Sequence, residues 1–201
     1  MLTESFTTDR SGLAPYLDEL ARLHPRLCPR QVLGVRMGQR AAELLQVAVP
    51  RRDKRLLAIV ETDGCFADGV SVVTGCWFGR RTLRLEDYGR VATTVVDTVH
   101  GRGVRLHPHP RARDTALAWA PWAEDRWHAQ LSGYQIMPAE QLLVAEAVRL
   151  EQPLERVLGT PGVRATCERC GEEILNGREL TDARTVLCRA CSLTPYYVNI
   201  D

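Results

Sequence analysis

The stretch Glu61 to Gly79, ETDGCFADGVSVVTGCWFG, decides how the chain is built. It follows the apolar run Leu56-Leu57-Ala58-Ile59-Val60, which reads as a buried strand. After Asp63-Gly64 the pattern turns helical, with Asp68 near the start and Gly75 at the end, so a strand hands over to a helix at Cys65. A thiol there points at unpaired amides and the positive end of the helix dipole, which favour thiolate and hence metal binding or nucleophilic behaviour. The competing reading, a small buried hydrophobe, stays open at this point. Cys76, just past the helix, reads as a packed thiol.

Toward the N-terminus, Leu13 to Leu23 has helical apolar spacing and breaks at His24-Pro25. Pro29 suits the first position of a second helix, because its missing N–H would have been unpaired there anyway. That makes Cys28 the residue at the N-cap. The helix carries Leu33, Met37, Ala41, Leu44 and Leu45 on one face, and Gly34 and Gly38, four apart, allow another backbone to approach. Two cysteines, Cys28 and Cys65, are thus expected at helix starts, with His24 four residues before the first.

Toward the C-terminus, Arg81 to Leu85 alternates as a strand, Asp87-Tyr88-Gly89 is a turn, and Val91 to Val99 is rich in β-branched residues. Gly101-Arg102-Gly103 predicts a hairpin into Val104-Arg105-Leu106. His107-Pro108-His109-Pro110 reads as a strand-exit loop, since no cysteine or carboxylate accompanies the imidazoles at ligand spacing. Thr115 to Ala120 passes through a helix or turn, and Trp119, Trp122 and Trp127 suggest a packing cluster. Pro138 to Leu143 opens a short helix, and Val144 to Leu150 either extends it or runs as a strand. Pro153 and Thr160-Pro161-Gly162 mark a linker.

Cys167-Glu-Arg-Cys170 and Cys188-Arg-Ala-Cys191 form the strongest motif, two pairs separated by seventeen residues. Each pair can place both thiolates on one ion from a tight turn, and four thiolates without histidine favour a closed tetrahedral zinc site. A segment this short cannot bury enough core alone, so the metal should supply much of its folding free energy. Between Ala165 and Asp201 six acids face four arginines, and four thiolates on Zn²⁺ add about two negative charges. Phosphate contacts dominate nucleic-acid affinity, so the charge points to protein contact, to which Tyr196-Tyr197-Val198 could contribute.

The 201 residues suit one medium domain plus a small appendage, and the composition, 45% apolar and 25% charged, is that of a soluble globular protein. No apolar run approaches the length of a membrane helix. The N-terminus, MLTESFTTDR, lacks the basic-then-apolar pattern of a secretory signal, and seven cysteines make an odd count for a disulfide framework, so a cytoplasmic location is expected. A net charge of +1, with every basic residue except Lys54 an arginine, gives no sign of global steering toward polyanions.

Several ordered motifs stand together: His24-Pro25-Arg26-Leu27-Cys28-Pro29-Arg30 with Gly34 and Arg36; Asp63, Cys65 and Asp68; Thr74-Gly75-Cys76-Trp77-Phe78-Gly79; Asp87-Tyr88-Gly89; and the terminal cysteines. In these the chain resembles the FmdE-like proteins, the family named for the E component of formylmethanofuran dehydrogenase, over nearly its whole length. The resemblance implies an α+β fold with helices on a mainly antiparallel sheet, a helical or extended arm, a treble-clef-like zinc finger and dimerisation. The expected division is a core over 1–125, an arm or linker over 126–164 and a four-cysteine zinc finger over 165–201. The resemblance also implies association with molybdenum or tungsten enzymes of one-carbon metabolism, without implying catalysis. Where the family pattern has a second histidine this chain has Arg26, and where it has a glycine, Arg30. What remains for a core metal is His24, Cys28 and Cys65, with Asp63 as an orienting group. The arginines Arg26, Arg30 and Arg36 could instead hold a small anion at the helix starts.

Three functions are therefore expected in order: an accessory or regulatory metalloprotein of a molybdenum- or tungsten-pterin oxidoreductase; a metal-dependent enzyme on a small anionic or one-carbon substrate, with Asp63, Glu61 or His24 as base; and, least favoured by charge, a nucleic-acid-binding regulator.

Overall fold

The strand and helix either side of Asp63-Gly64 form as expected and set the layout of the sheet. The computed structural model describes residues 12–200; the N-terminal decapeptide read above for a secretory pattern lies outside the described residues. Strand β1 (Leu56–Val60) runs into α3 (Cys65–Thr74), which crosses over to β2 (Leu83–Leu85), and β1 and β2 pair in parallel with Ala58 opposite Leu83. All other pairings are antiparallel: β1 with β3 (Thr93–Asp97), β3 with β4 (Arg102–Pro108), and β4 with β5 (Leu143–Val148). The five strands lie in the order β2-β1-β3-β4-β5. The fold is thus α+β on a mainly antiparallel sheet.

Helix α1 spans Ala14–Leu23 and α2 spans Pro29–Leu45. Cys28 is the N-cap of α2, extended at φ −130°, with Pro29 at the first turn. One side of α2 places Leu33, Met37, Ala41 and Leu45 in the core with Val95, Val104 and Leu106; Leu44, expected on that face, is exposed. The other side meets α3 at unusual closeness. A Cβ on Gly34 would stand 2.3 Å from the Phe66 carbonyl oxygen, and one on Gly69 would stand 2.4 Å from the Gln31 carbonyl oxygen. The glycines therefore let two backbones touch, which settles the reading of Gly34 in favour of close packing.

The hairpin of β3 and β4 is closed by Asp97, fully buried at the strand end. Its carboxylate accepts from Arg55 Nε (3.2 Å) and the second guanidinium nitrogen (3.1 Å), contacts His100 Nδ1 (2.7 Å) and accepts from the Val99 amide (3.1 Å). Burial alone would raise the Asp97 pKa, but Arg55, His100 and that amide outweigh it and hold the carboxyl well below the usual carboxylate range.

The chain divides into two units, 1–149 and 150–201. Of the 126–164 stretch, α5 (Arg126–Ile136), α6 (Ala139–Leu142) and β5 belong to the first unit. Helix α5 lies against α4 (Ala112–Trp119), with Gly133 so near that a Cβ would stand 2.9 Å from the Ala116 carbonyl oxygen, and it sends Tyr134 into the core; Met137 follows it there. After α6 the chain becomes a strand, because β4 has an open edge whose pairing groups are met by 143–148. Trp119 packs on the core, but Trp122 and Trp127 are exposed, so the tryptophans do not form one buried cluster.

The second unit holds α7 (Leu154–Leu158), the pair β6 (Arg164–Thr166) and β7 (Glu173–Leu175), the pair β8 (Leu180–Asp182) and β9 (Thr185–Leu187), and α8 (Arg189–Ser192). A knuckle between β6 and β7, a hairpin and a short helix make the expected treble-clef-like order. Tyr196, Tyr197 and Val198 are exposed and belong to no strand. Among the described residues no helix is long and apolar enough to cross a membrane.

Candidate functional site

In the second unit the Cys167 and Cys170 thiols sit in the knuckle, where Gly171 takes φ +75°, and Cys188 and Cys191 sit at the start of α8. The four sulfur atoms lie within 4.8 Å of one another. Cys170 and Cys188 are 3.9 Å apart, close to the roughly 3.8 Å that a tetrahedron of Zn–S bonds of about 2.3 Å requires. The Cys188 amide donates to Cys167 Sγ (3.3 Å) and the Cys191 amide to Cys188 Sγ (3.4 Å). Amides of Cys170 and Cys188 draw the Cys167 thiol down to about 6, whereas the neighbouring Cys188 and then burial push Cys191 up to about 12. Such a crowd of thiols ionises fully only beside a cation, and the group is built to hold a metal ion such as zinc.

In the first unit Cys28 ends the loop into α2, and Cys65 is the first residue of α3 after Gly64 at φ +78°. Because α2 and α3 are pressed together, these helix starts bring the two cysteines into mutual contact. Burial, then the Cys28 thiol, and more weakly the Asp68 charge, raise the pKa of Cys65. The dipole argument that favoured a Cys65 thiolate is therefore outweighed by these surroundings. A cation would reverse the balance, since it stabilises both thiolates at once.

His24 closes α1, and its Nε2 lies 2.8 Å from Asp68 Oδ2. The carboxylate partner of His24 is thus Asp68 and not Asp63, which is exposed in the turn before α3. The signal was present in the sequence: Asp68 stands three residues after Cys65 and so shares its helix face. Gln31, fully buried, was missed. Its Oε1 accepts from the Cys28 amide at 2.7 Å, while its Nε2 is buried without a partner. A glutamine three residues after an N-cap marks a capping box and could have found it. That nitrogen is held within roughly 5 Å of the Cys28 amide by the size of a carboxamide. Among the described residues the C-terminal cysteines alone gather three or more ligand atoms within 4.8 Å of one another, so the His24, Cys28, Cys65 and Asp68 group is looser.

The three arginines part company. Arg26 is exposed in the loop before Cys28, and Arg30 is exposed on the first turn of α2. Arg36 donates to the Tyr134 carbonyl (2.6 Å) and the Met137 carbonyl (2.7 Å), so both terminal nitrogens of its guanidinium tie the end of α5 to α2. Cys76 is buried, with its thiol 3.4 Å from the Leu56 carbonyl oxygen, as expected of a packed thiol. Glu61 accepts from Arg105 Nε (2.7 Å) and pairs with Arg90 Nε (2.8 Å), which, Arg105 first, holds its pKa below the ordinary value despite burial.

Residues 23–149 match the model of a family described as FmdE, molybdenum formylmethanofuran dehydrogenase operon. A curated protein of Archaeoglobus fulgidus, named a probable S-adenosyl-L-methionine-binding protein, is 30% identical over 213 aligned residues. The alignment takes in 94% of this chain but 56% of that relative, so the chain spans little more than half its length. A crystal structure of a tungsten formylmethanofuran dehydrogenase FmdE-like protein from Syntrophus aciditrophicus superposes with a TM-score of 0.57 at 22% identity, covering 92% of this chain and 94% of the other. That likeness is one of fold.

Proposed function

The chain belongs to the FmdE family, and from that premise we propose that it is a metal-carrying accessory protein of a molybdenum- or tungsten-dependent formylmethanofuran dehydrogenase type of oxidoreductase. The observation that carries the proposal is the meeting of Cys28 and Cys65 beside the His24–Asp68 pair. Two thiols and an imidazole suit a soft, exchangeable divalent ion, with one position left for water or a donated ligand. Asp68 on Nε2 leaves His24 Nδ1 as the ligand atom, the arrangement in which a carboxylate orients a metal-bound imidazole. Since the group is looser than the C-terminal one, loading requires the imidazole or a thiol to turn inward. The unpartnered Gln31 Nε2 supplies a donor for a sulfur or an anion brought in on the metal.

At the other end, zinc on Cys167, Cys170, Cys188 and Cys191 would hold the second unit folded, and its acidic surface suits docking to a protein, including a second copy of the chain. Seven free thiols suit a reducing cytoplasm. Of the bases named for the enzyme alternative, Glu61 is locked between two arginines and Asp63 faces solvent, which leaves His24, paired with Asp68.

The test is elemental analysis of anaerobically purified protein. The parent should hold about two metal ions per chain and the Cys28→Ala/Cys65→Ala variant about one. One ion in both would end the core-metal reading.

A further inference from the structure

A cavity in the first unit has a chemistry different from that of the paired cysteines. It measures about 640 Å³ and is walled by the start of α2, the turn before β3, the end of β4 running into the start of α4, and α5. Four arginines line it, Arg30, Arg90, Arg105 and Arg113, together with His107 and His109, and no aspartate or glutamate does. Their commitments differ. Arg105 is spent, with Nε and one terminal nitrogen on Glu61 and the other on Glu146. Arg90 gives Nε to Glu61 and lays its guanidinium over the Tyr88 ring, 4.9 Å from the ring centre. Arg30 and Arg113 have no ion-pair partner among the described residues and no hydrogen bond to a side chain. His107 Nδ1 faces the Pro108 carbonyl oxygen at 2.9 Å, so it carries the proton there. His109 Nδ1 instead accepts from the Arg111 amide at 3.2 Å, which leaves its Nε2–H as a donor.

A concavity that gathers unspent guanidinium groups without a carboxylate holds strong positive potential, and water does not offset it as fully as on a convex surface. Two free planar forks and an imidazole N–H are the kinds of donor that the terminal oxygens of a phosphate accept from, and the positive ends of two helix dipoles add to the attraction. The remaining wall, with Leu33, Val91, Pro108, Pro110 and Tyr134, is apolar, and the volume is that of a site for a small organic molecule.

We propose that this cavity binds a phosphate monoester with a flat, largely apolar body. Arg30, expected from the sequence as one of three anion-holding arginines, is the one that serves, in company the sequence did not reveal. The site needs no metal and is independent of the reading of Cys28 and Cys65.

The experiment is calorimetric titration of the full chain at low ionic strength with 5′-AMP, inorganic phosphate, adenosine and succinate as probes. The expected result is saturable binding of 5′-AMP, weaker binding of phosphate, none of adenosine, and loss of affinity as salt is added. Arg30 and Arg113 are exposed and unpaired, so Arg30→Glu/Arg113→Glu should fold normally and bind 5′-AMP about tenfold more weakly or worse, while Arg22→Glu on α1 should bind as the parent does. No binding of 5′-AMP by the parent, equal affinity in the charge-reversed variant, or tighter binding of succinate than of phosphate would each overturn the proposal.

Discussion

Asp97 is the residue on which the sheet end depends. A carboxylate with no exposure, held by a forked arginine, cannot lose its charge without stranding Arg55, and removing one partner of such a pair costs about 3–5 kcal/mol. Asp97→Asn keeps the shape and should lose about 2–4 kcal/mol at pH 7, read from urea midpoints. The sign with pH follows from a depressed pKa. The contribution is complete above the ordinary value of 3.8 and disappears as pH falls through the lower folded value, so the gap between parent and variant should shrink on acidification below 3.8. At this scale the sequence was uneven. Cys28 and Cys65 were legible because Pro29 and Gly64 announce helix starts. Arg36 was not, because a guanidinium bonding the carbonyls of Tyr134 and Met137 leaves no local pattern.

Among the elements, α2 and α3 carry the site and are held in register by glycine. Gly34→Ala puts a methyl onto a backbone oxygen, which cannot rotate away, so the helices must part; a loss of about 1–3 kcal/mol or more is expected. At Gly38 the obstacle is the tip of the Val73 side chain, 2.1 Å away, and Gly38→Ala should cost less. Parting α2 from α3 also separates Cys28 from Cys65, so if these two hold a metal as proposed, Gly34→Ala should lower the metal content at the core in elemental analysis, where Gly38→Ala should keep more of it. Most elements were readable from periodicity. The 144–150 run was undecided because short apolar runs suit helix and strand alike; the open edge of β4, a distant feature, decided it.

For the whole molecule, the division into 1–149 and 150–201 predicts two kinds of stability. The first unit has a large apolar core, whereas the second buries only Cys167, Ile174 and Leu187 among its hydrophobic residues. With zinc on the four cysteines as proposed, chelating it, or Cys167→Ser, should therefore abolish amide protection over 164–192 in hydrogen exchange and leave the sheet of the first unit protected. If the second unit kept its protection without metal, its folding would have to be explained otherwise. The terminal cysteines were the most legible feature of the chain, since ligand spacing is local. The cationic cavity was the least, because its walls come from four separated segments and near-neutral net charge conceals them.

The reciprocal contact of Gly34 and Gly69 bears on how such a chain can change over generations. At most positions in a core an enlarged side chain can be rescued by shrinking its neighbour. Here the neighbour is main chain, and no residue is smaller than glycine. Neither position has a compensating partner, so a random mutagenesis library selected for folded protein should return both glycines almost unvaried, and any revertant of a damaged one should restore glycine rather than arise at a second site.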